Sequence, residues 1–577
     1  MTWLPVALLG VPLLGAALLL AADSMPRQRL ALYGMAVSGL ALALAVAIAA
    51  TFDYGRAASI QFSVDWSWIP AWNLRFHLGV DGISLPLVVL TALLTFLCFA
   101  YLSWGGGRAP GQLLQGGRPR ALVFTLLILE VGMIGTFLAL DLLLFFVFFE
   151  IVLIPMYFVI AIWGGPGRRS AAIKFILYTL LGSVVLLLGL LVIWAHTGTL
   201  DIVALAHAHG AAIPRTVQII AFLAVGLGLA VKTPMWPLHT WLPAAHTEAP
   251  TVGSVLLAGV LLKMGTYGFA RIAIPILPEG AAAIAPWLGA FAVVGIVYGA
   301  LACLAQNDLK RMIAYSSVGH MGFVLLGMAT LTTVGINAAL FGNIAHGLIT
   351  GLLFFLAGAI KTRYGTADMP KLGGGMLARL PHLGSVLTFA CIASLGIPGL
   401  AGFWGEMLAL FGAYQPADGL PRGLFLTFMA VGGLGAVLTA AYFLVMLSRV
   451  THGRPTRAAD GTPLPLAATP PPHAPAAATS PGSPASLAAS SASGLSGSVD
   501  PWAGGYPEDA EWAAAHEETP SRAGTLVEER EALPDVQRYE WVAWVPLIVL
   551  ILLFGLWPKL LLSLTTPAVQ VLLGAAS

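Results

Sequence analysis

The sequence predicts an all-α polytopic membrane protein with about fourteen transmembrane helices, and three observations carry that prediction. Of the 577 residues, 58% are hydrophobic and only 9% are charged, whereas charged residues make up about 25% of a typical soluble domain. Apolar runs close to the roughly 20 residues that cross a bilayer recur along the chain. Two of these runs are broken by proline or glycine, at residues 234–237 and 396–402. A soluble class is excluded, and so few charges give no reason to expect a nucleic-acid partner.

The apolar runs place the predicted spans in order along the chain. They lie near residues 3–22, 30–51, 79–103, 121–140, 142–162, 171–195, 215–232, 251–272, 282–304, 311–330, 334–360, 382–413, 423–448 and 540–574. The first run lacks a basic leader region, so we interpret it as a retained helix and not as a signal peptide. The seventh span continues beyond its break as a short second half, and the twelfth is also interrupted. Such breaks are tolerated in a membrane only where protein or a hydrated cavity satisfies the freed backbone groups.

Basic residues in the connecting loops predict the orientation of the chain. Odd-numbered loops carry most of the lysine and arginine, and even-numbered loops carry few. The odd-loop residues are Arg27, Arg29, Arg108, Arg118, Arg120, Arg168, Arg169, Lys310, Arg311, Lys361, Arg363, Lys371, Arg379, Arg449, Arg454 and Arg457, and the even-loop residues are Arg56, Arg75, Arg215, Arg271 and Arg422. By the positive-inside rule the odd loops are cytoplasmic. We therefore expect a multi-pass protein of a bacterial-type cytoplasmic membrane, with both termini on the non-cytoplasmic side.

The spans group into five expected segments. An N-terminal three-helix segment with its loops (1–120) precedes two five-helix repeats (121–272 and 282–448), in each of which the fourth helix is broken. An odd number of spans inverts the second repeat, and inverted repeats with broken helices build transport sites near mid-membrane. Residues 449–539 are rich in Pro, Ala and Ser, so we expect a cytoplasmic, mostly disordered loop. A C-terminal transmembrane helix (540–577) follows it.

Charged residues inside the predicted spans are the main functional signal. They are Glu150, Lys232, Lys263 and Glu406. A charge at the bilayer centre costs at least about 2.5–3.5 kcal/mol on insertion scales, so each one demands a reason. Glu150 has no partner within its own helix, Lys263 is too deep to snorkel, and Glu406 follows the second break. Lys232 ends a helical segment, where snorkelling to the surface is the alternative interpretation.

Histidines extend this set of intramembrane polar groups. His239 and His246 flank the first break, while His320 and His346 lie in the tenth and eleventh spans. A single histidine in a helix is often only a packing residue, but several histidines between charged groups can pass protons between them. In a Glu–Lys pair each partner stabilises the charge of the other, so movement of one changes the proton affinity of the other. Two weaker candidates near span ends are Lys174 and Asp141.

The segment around the first break reads GLAVKTPMWPLHTWLPAAHTEAPTVGSVLLAGVLLKMGTYG. This motif resembles the antiporter-like subunits of respiratory complex I, the NADH-quinone oxidoreductase. Within it, HTEAPTVGSVLLAGVLLK is similar to subunit M (chain 4) more than to subunits L or N. Three further motifs are similar to the same subunit, namely NDLKRMIAYSSVGHMGFVLLG, FFEIVLIPMY and GFWGEM. The resemblance covers most of residues 80–450, although Ala244 stands where the family usually has an acidic residue.

The resemblance implies a fourteen-helix fold with two inverted repeats and discontinuous helices 7 and 12. It implies that Glu150 and Lys232 form a switching pair and that Lys263 is the central lysine of a proton path. Glu406 would be the terminal acidic residue toward the exit side. The resemblance also matches further residues to the polar axis, to which the residue pattern adds two histidines. These are His320, His346 and Lys174 from the resemblance, and His239 and His246 from the pattern.

The resemblance also implies cofactors and partners. No cofactor or metal is expected in this chain, because the family places NADH, FMN, the iron–sulphur clusters and quinone in other subunits of the complex. The expected partners are the lipid bilayer and neighbouring membrane-arm subunits of the L and N types. The implied function is proton translocation through the buried Glu/Lys/His path, coupled to electron transfer from NADH to quinone elsewhere.

Two other functions stay open from the sequence. A subunit of a multisubunit cation/proton antiporter has this fold, and a hydrogenase-type membrane complex is a further alternative. Glu406 favours complex I, because the antiporter relative typically carries lysine in a similar GFWG motif. A stand-alone channel or scaffold gives no reason for four mid-membrane charges in two broken-helix units.

Overall fold

A computed structural model of the protein describes residues 2–21, 25–104, 118–453 and 533–574. In this part of the chain thirteen helices are long and apolar enough to cross a membrane, which confirms the all-α class. The helices in chain order are α1 (Leu4–Ala21), α2 (Arg27–Thr51), α3 (Ser84–Trp104), α4 (Pro119–Leu138), α5 (Leu142–Ile151), α6 (Leu153–Trp163), α7 (Arg168–Thr197), α8 (Ile202–Ala208), α9 (Arg215–Lys232), α10 (Trp241–Glu248), α11 (Thr251–Ile276), α12 (Pro278–Leu304), α13 (Leu309–Ala329), α14 (Thr333–Tyr364), α15 (Met369–Leu372), α16 (Met376–Arg379), α17 (Pro381–Ser394), α18 (Ala401–Tyr414), α19 (Arg422–Val450), α20 (Arg538–Leu556) and α21 (Lys559–Leu572).

Two long helices, α11 and α14, form the centre of the bundle. The most apolar 18-residue windows of these helices are 100% and 94% buried by protein. Polar side chains in the middle of these helices, such as Lys263 and His346, therefore face other helices and not lipid. The α11 helix contains π-helical turns at Leu257–Leu261 and Phe269–Ala273, irregularities that often accompany functional sites.

Two short antiparallel bridges occupy corresponding positions in the two predicted repeats. Asp141 pairs with Asp201, and Asp308 pairs with Asp368. Asp141 and Asp308 also begin the second helix of each repeat, because their carboxylates accept hydrogen bonds from N–H groups of the following turn, a cap worth about 1 kcal/mol. The first bridge lies where α4 and α7 end, and the second where α12 and α14 end. These are opposite ends of the bundle, as inverted repeats require.

A β-hairpin, which the sequence analysis did not predict, fills the connection between α2 and α3. Strand β1 (Gln61–Ile69) pairs antiparallel with β2 (Leu74–Val80), and Asn73 in the turn adopts a left-handed φ of +50°. Leu78 bridges to Ala139 and so docks the hairpin on the end of α4. We call the end of the bundle that carries this hairpin, α8 and α21 the hairpin face. The other end, which carries α15 and α16, is the opposite face.

The last predicted spans differ in detail from the structure. The twelfth consists of α17 and α18, which residues 395–400 join. The described part of the chain therefore contains fourteen spans when these two helices are counted as one. The segment at 540–574 forms α20 and α21, because Trp557 and Pro558 interrupt it. An unbroken helix of that length would measure about 50 Å, more than the roughly 30 Å of a bilayer core. Most of the predicted disordered loop, residues 454–532, lies outside the described residues, as do Arg108, Arg454 and Arg457.

Two residues that the sequence predicted to be loop charges are buried within helices. Arg271 belongs to α11 and Lys310 to the first turn of α13, and both side chains are buried. Both helices extend a few residues beyond the predicted bounds. The remaining described charges that were assigned to the two groups of loops do lie near the ends of the bundle.

Candidate functional site

The first helix break positions Lys232 by satisfying the backbone around it. Lys232 is the last residue of α9, and residues 233–240 separate it from α10. The indole N–H of Trp241 donates to the carbonyl of Val231 (3.0 Å), and the N–H of Met235 donates to the carbonyl of Ala230 (3.0 Å). Carbonyls that the broken helix would leave unpaired thus have donors inside the protein.

Lys232 and Glu150 are neighbours, but neither is the other's direct hydrogen-bond partner. The Lys232 ammonium donates to the carbonyl of Phe149 (3.1 Å) and lies 4.1 Å from the centre of the Phe149 ring. The Glu150 carboxylate instead contacts Ser183 Oγ on α7. Glu150 still acts electrostatically on Lys232. The predicted pair therefore exists as two adjacent groups with separate partners.

Lys263 lies fully buried at the centre of the bundle, beside His346. Its amino group contacts the carbonyl of Ala258 within the π-helical turn, and its Nζ lies 2.6 Å from Nδ1 of His346 on α14. The same ring nitrogen lies 3.0 Å from Thr350 Oγ1. The Ala258 carbonyl in this π-helical turn is therefore the acceptor for an amine this deep in the bundle.

His320 and Glu406 form the second predicted group of the site. His320 Nδ1 lies 2.9 Å from Glu406 Oε1, and His320 Nε2 lies 2.9 Å from Ser394 Oγ. Both Ser394 and Glu406 flank the break between α17 and α18. A cavity of about 30 Å³ is lined by these groups and His346, which is room for one or two water molecules.

The structure joins four of the predicted residues into one line. Lys263 contacts His346, the rings of His346 and His320 are 5.7 Å apart between centroids, and His320 contacts Glu406. The line runs from the first repeat, on α11, through α14 and α13 to the second break. The small cavity lies against its His346–Glu406 part. A water there would bridge the two imidazoles, and such a chain of exchangeable groups is what proton transfer requires.

The remaining predicted residues are not in this line. His246 stacks on Phe354 with ring centroids 4.4 Å apart, and His239 lies edge-on to Tyr298 at 4.9 Å. Neither ring nitrogen of either histidine has a hydrogen-bond partner among the described residues. Lys263 acts electrostatically on His246, which places that ring next to the line.

Lys174 belongs to a separate group near the first break. It acts electrostatically on His239, and its Nζ lies 6.0 Å from the centre of the Tyr178 ring. The hydroxyl of Thr240 donates to the Tyr178 hydroxyl (2.8 Å). Within the described chain no hydrogen bond connects Lys232 to Lys263, so a gap separates the Glu150–Lys232 pair from the line.

Sequence reasoning missed two buried groups in this region. Lys310 donates from its ammonium to the carbonyl of Ala249 (2.7 Å) and acts electrostatically on His246, and it lines a cavity of about 550 Å³ at the opposite face. It was overlooked because it lies at a predicted span end. Glu130 on α4 is fully buried, with no hydrogen-bond partner for either carboxylate oxygen among the described residues. A carboxylate in the middle of LVFTLLILEVGMIGTFL was a visible signal of the same kind as Glu150.

Acidic residues at the hairpin face differ in their ionisation. Burial raises the pKa of Asp141 to about 6, although the N–H groups of Leu144, Arg75 and Leu143 donate to it and oppose that rise. For Asp201 burial acts in the same direction, but hydrogen bonds from His77 and from backbone N–H groups outweigh it and lower the pKa. Asp141 is thus the carboxyl of this pair that holds a proton more readily.

No group of three or more His, Cys, Asp or Glu residues that could hold a metal ion occurs in ranges 2–21, 25–104, 118–453 and 533–574. The three cysteines of the chain, Cys98, Cys303 and Cys391, are free and buried. The site consists of lysine, histidine, serine and glutamate side chains, all of which carry exchangeable protons.

Comparisons with known proteins identify the family. The profile described as "NADH:quinone oxidoreductase/Mrp antiporter, TM" matches residues 139–432. NADH-quinone oxidoreductase subunit M of Rhodobacter capsulatus is 42% identical over 404 residues, which are 68% of this chain and 75% of that protein. The chain belongs to the subunit M (chain 4) family of NADH-quinone oxidoreductases. As a member of the subunit M family it is an antiporter-like membrane-arm subunit, which confirms the family that the motifs predicted.

Solved structures agree on the fold of the subunit M family. A chain of respiratory complex I from Thermus thermophilus matches with a TM-score of 0.74 and 26% identity, covering 100% of both chains. A chain of the Mrp complex from Dietzia sp. matches with a TM-score of 0.75 and 23% identity, covering 100% of this chain and 99% of that one. The second match shows the shared fold alone. The sequence relatives favour the complex I assignment over the antiporter alternative.

Proposed function

We propose that this chain translocates protons through Lys263, His346, His320 and Glu406, with Glu150 and Lys232 as the switching pair that controls the path. The continuous line from Lys263 to Glu406 is the observation that carries the proposal. Each neighbour in that line is within hydrogen-bond distance or, between the two imidazoles, within reach of one bridging water. Electron transfer from NADH to quinone in other subunits would supply the driving force.

The gap between Lys232 and Lys263 supports electrostatic control of Lys263 by the Glu150–Lys232 pair, and not direct proton transfer between the two lysines. Lys232 is tied to the Phe149 carbonyl and Glu150 to Ser183. If the lysine moves toward Glu150 or toward α11, the electrostatic field at Lys263 changes, and so does its proton affinity. Lys174, His239 and His246 lie outside this line, and we propose that they belong to the wider polar path, with Lys174 acting electrostatically on His239 and His246 lying next to Lys263.

The finer assignments of partners and location are part of the same proposal. The neighbours in the membrane arm would be subunits of the L and N types, and this chain would hold no cofactor of its own. The two repeats would span 121–272 and 282–448. The hairpin face would lie on the non-cytoplasmic side of a bacterial cytoplasmic membrane, with both chain termini on that side, because the described loops of the opposite face carry most of the basic residues.

Proton pumping by a Lys263→Met variant tests the proposed path. Methionine keeps most of the side-chain volume and removes the exchangeable protons and the charge. In inverted membrane vesicles that contain the assembled complex, we expect NADH-driven proton uptake and coupled quinone reduction both to be lost. Lys559→Met is the matched control, because Lys559 is exposed at the start of α21. Unchanged pumping by the Lys263 variant would refute the path through this residue.

A further inference from the structure

A cavity of about 450 Å³ enters the protein from the hairpin face and ends on a buried ion pair. Its walls come from the segment before β1, from α8 and from the end of α21, with Ser59, His207 and Leu572 among the lining residues. Asp81 and Arg271 also line it. Their side chains are only 3% and 4% exposed, so they form its inner end.

The guanidinium of Arg271 is fixed in place by three contacts. Its Nη2 lies 2.6 Å from Asp81 Oδ1, and its Nε donates to the Tyr267 hydroxyl (3.2 Å). The guanidinium carbon lies 5.6 Å from the centre of the Tyr267 ring. The Tyr267 hydroxyl in turn donates to the carbonyl of Phe137 (3.1 Å). The cation is therefore held between α3, α4 and α11.

Asp81 does not simply cancel the charge of Arg271. The same carboxylate oxygen accepts hydrogen bonds from the N–H groups of Ile83 (3.1 Å) and Ser84 (3.0 Å) at the start of α3. The N-terminal end of a helix carries a partial positive charge that compensates an adjacent carboxylate. Part of the Asp81 charge is thus balanced by α3, and the guanidinium retains net positive character toward the cavity.

This cation lies between the cavity and the centre of the proton path. Lys263, Tyr267 and Arg271 follow one another at intervals of four residues along α11, so that eight residues, or about 12 Å of helix, separate the lysine from the arginine. A cavity open to the hairpin face therefore approaches a proton-carrying amine in the first repeat. The proposed exit, at Glu406, lies in the second repeat.

We propose that Arg271, positioned by Asp81 and Tyr267, closes the hairpin face of the first repeat against protons. Arginine stays protonated throughout the physiological pH range, and a fixed arginine in a pore is a barrier to protons and cations. Protons that return from the hairpin face are repelled before they reach Lys263. Arg271 is a positioning and barrier residue, and it transfers no proton itself.

The inference rests on the proposed path through Lys263, and its test is a leak measurement that needs no NADH. The double variant Arg271→Gln/Asp81→Asn removes the cation without leaving an unpaired buried charge. In liposomes that contain the purified complex, we expect an imposed pH gradient to decay severalfold faster than with the wild type. With Lys263→Met added, the decay should return to the wild-type rate. If the leak persists with Lys263→Met, the barrier role stands but the path through Lys263 fails.

A buried ion pair elsewhere in the chain provides the matched control. Arg363 and Glu540 are also 2.6 Å apart, with 4% and 0% exposed side chains, but they lie at the opposite face. Arg363→Gln/Glu540→Gln should leave the membrane tight. Tyr267→Phe removes one support of Arg271 with little change of volume, and we expect a smaller leak from it. This variant tests the inference if the Arg271 double variant does not assemble.

Two results would overturn the inference. If liposomes with the assembled double variant hold their pH gradient and pump normally, the Arg271–Asp81 pair has only a structural role. If they hold their gradient but do not pump with NADH, the cavity is an exit route for protons and is not closed.

Discussion

The hydroxyl of Ser183 can form a hydrogen bond with Glu150 in either protonation state of the glutamate. Ser183 Oγ is within hydrogen-bond distance of both the Glu150 carboxylate and the carbonyl of Thr179 (2.9 Å for the latter). A hydroxyl donates only one hydrogen bond. When Glu150 is ionised, Ser183 donates to it, and when Glu150 is protonated, Glu150 donates to Ser183, which then donates to Thr179. Both states of the glutamate are thus satisfied without Lys232.

Ser183→Ala is predicted to impair pumping without abolishing it. Hydrogen bonds to charged groups contribute about 1.5–3 kcal/mol, so the loss of this one should drive Glu150 toward Lys232 and hold the pair in one state. We expect fewer protons pumped per NADH oxidised, measured in vesicles with the complex fully assembled. Thr179→Val is the control, because Thr179 is buried one turn away on α7 and its hydroxyl bonds to its own helix. Equal effects of the two substitutions would mean that Ser183 acts only through packing.

At the scale of elements, the second break places a backbone turn against the terminal glutamate. Gly396 follows α17 with a φ of +72°, and a Cβ atom there would lie 2.7 Å from Glu406 Oε2. Glycine is needed at this position for two reasons, the left-handed backbone and the close approach of the carboxylate. The break therefore fixes both where α17 ends and where the Glu406 carboxylate lies relative to His320.

Gly396→Ala is predicted to displace the Glu406 carboxylate and lower the rate of pumping. The substitution adds strain of about 1–2 kcal/mol, because alanine disfavours the left-handed backbone. Its Cβ would also be too close to the Glu406 carboxylate, which would have to move. Gly365→Ala separates these two effects, because Gly365 ends α14 with a φ of +71° and has open space around it. We expect both variants to lose thermal stability by a similar amount, measured as Tm of the purified complex. Only Gly396→Ala should slow proton uptake, and a loss of pumping in both would contradict the prediction.

At the scale of the whole molecule, the sequence was sufficient to predict those site residues and helix breaks that a single residue within an apolar run reveals. Glu150, Lys263 and Glu406 were predicted because each interrupts a long apolar run, and the two breaks because proline and glycine are unmistakable within a span. Partners could not be predicted, since the contact of His320 with Glu406 joins residues 86 positions apart. Only the fold brings such groups together, and the predicted switching pair proved to have separate partners for the same reason.

Span ends limited the sequence analysis in a second way. Arg271 and Lys310 were assigned to loops because basic residues near the end of an apolar run are usually exposed. The alternation of polar and apolar residues in QFSVDWSWI was a visible signal for a β-strand, but the segment is too short to span a membrane and was assigned to a loop. Both errors concern the two faces of the bundle. The hydrophobic pattern ends there, so it no longer distinguishes buried charges and short strands from exposed loops.

The orientation of the whole molecule is the remaining prediction, and thiol labelling tests it. The native cysteines are buried, so a membrane-impermeant maleimide should react only with introduced thiols. Ser67→Cys places an exposed thiol on β1 at the hairpin face, and Thr362→Cys places one at the end of α14 at the opposite face. In intact cells we expect labelling of the first variant, and of the second only after permeabilisation. The reverse result would put the hairpin-face cavity on the side from which protons are taken up. Arg271 would then obstruct proton uptake instead of return, so this orientation is also a condition for the proposed barrier.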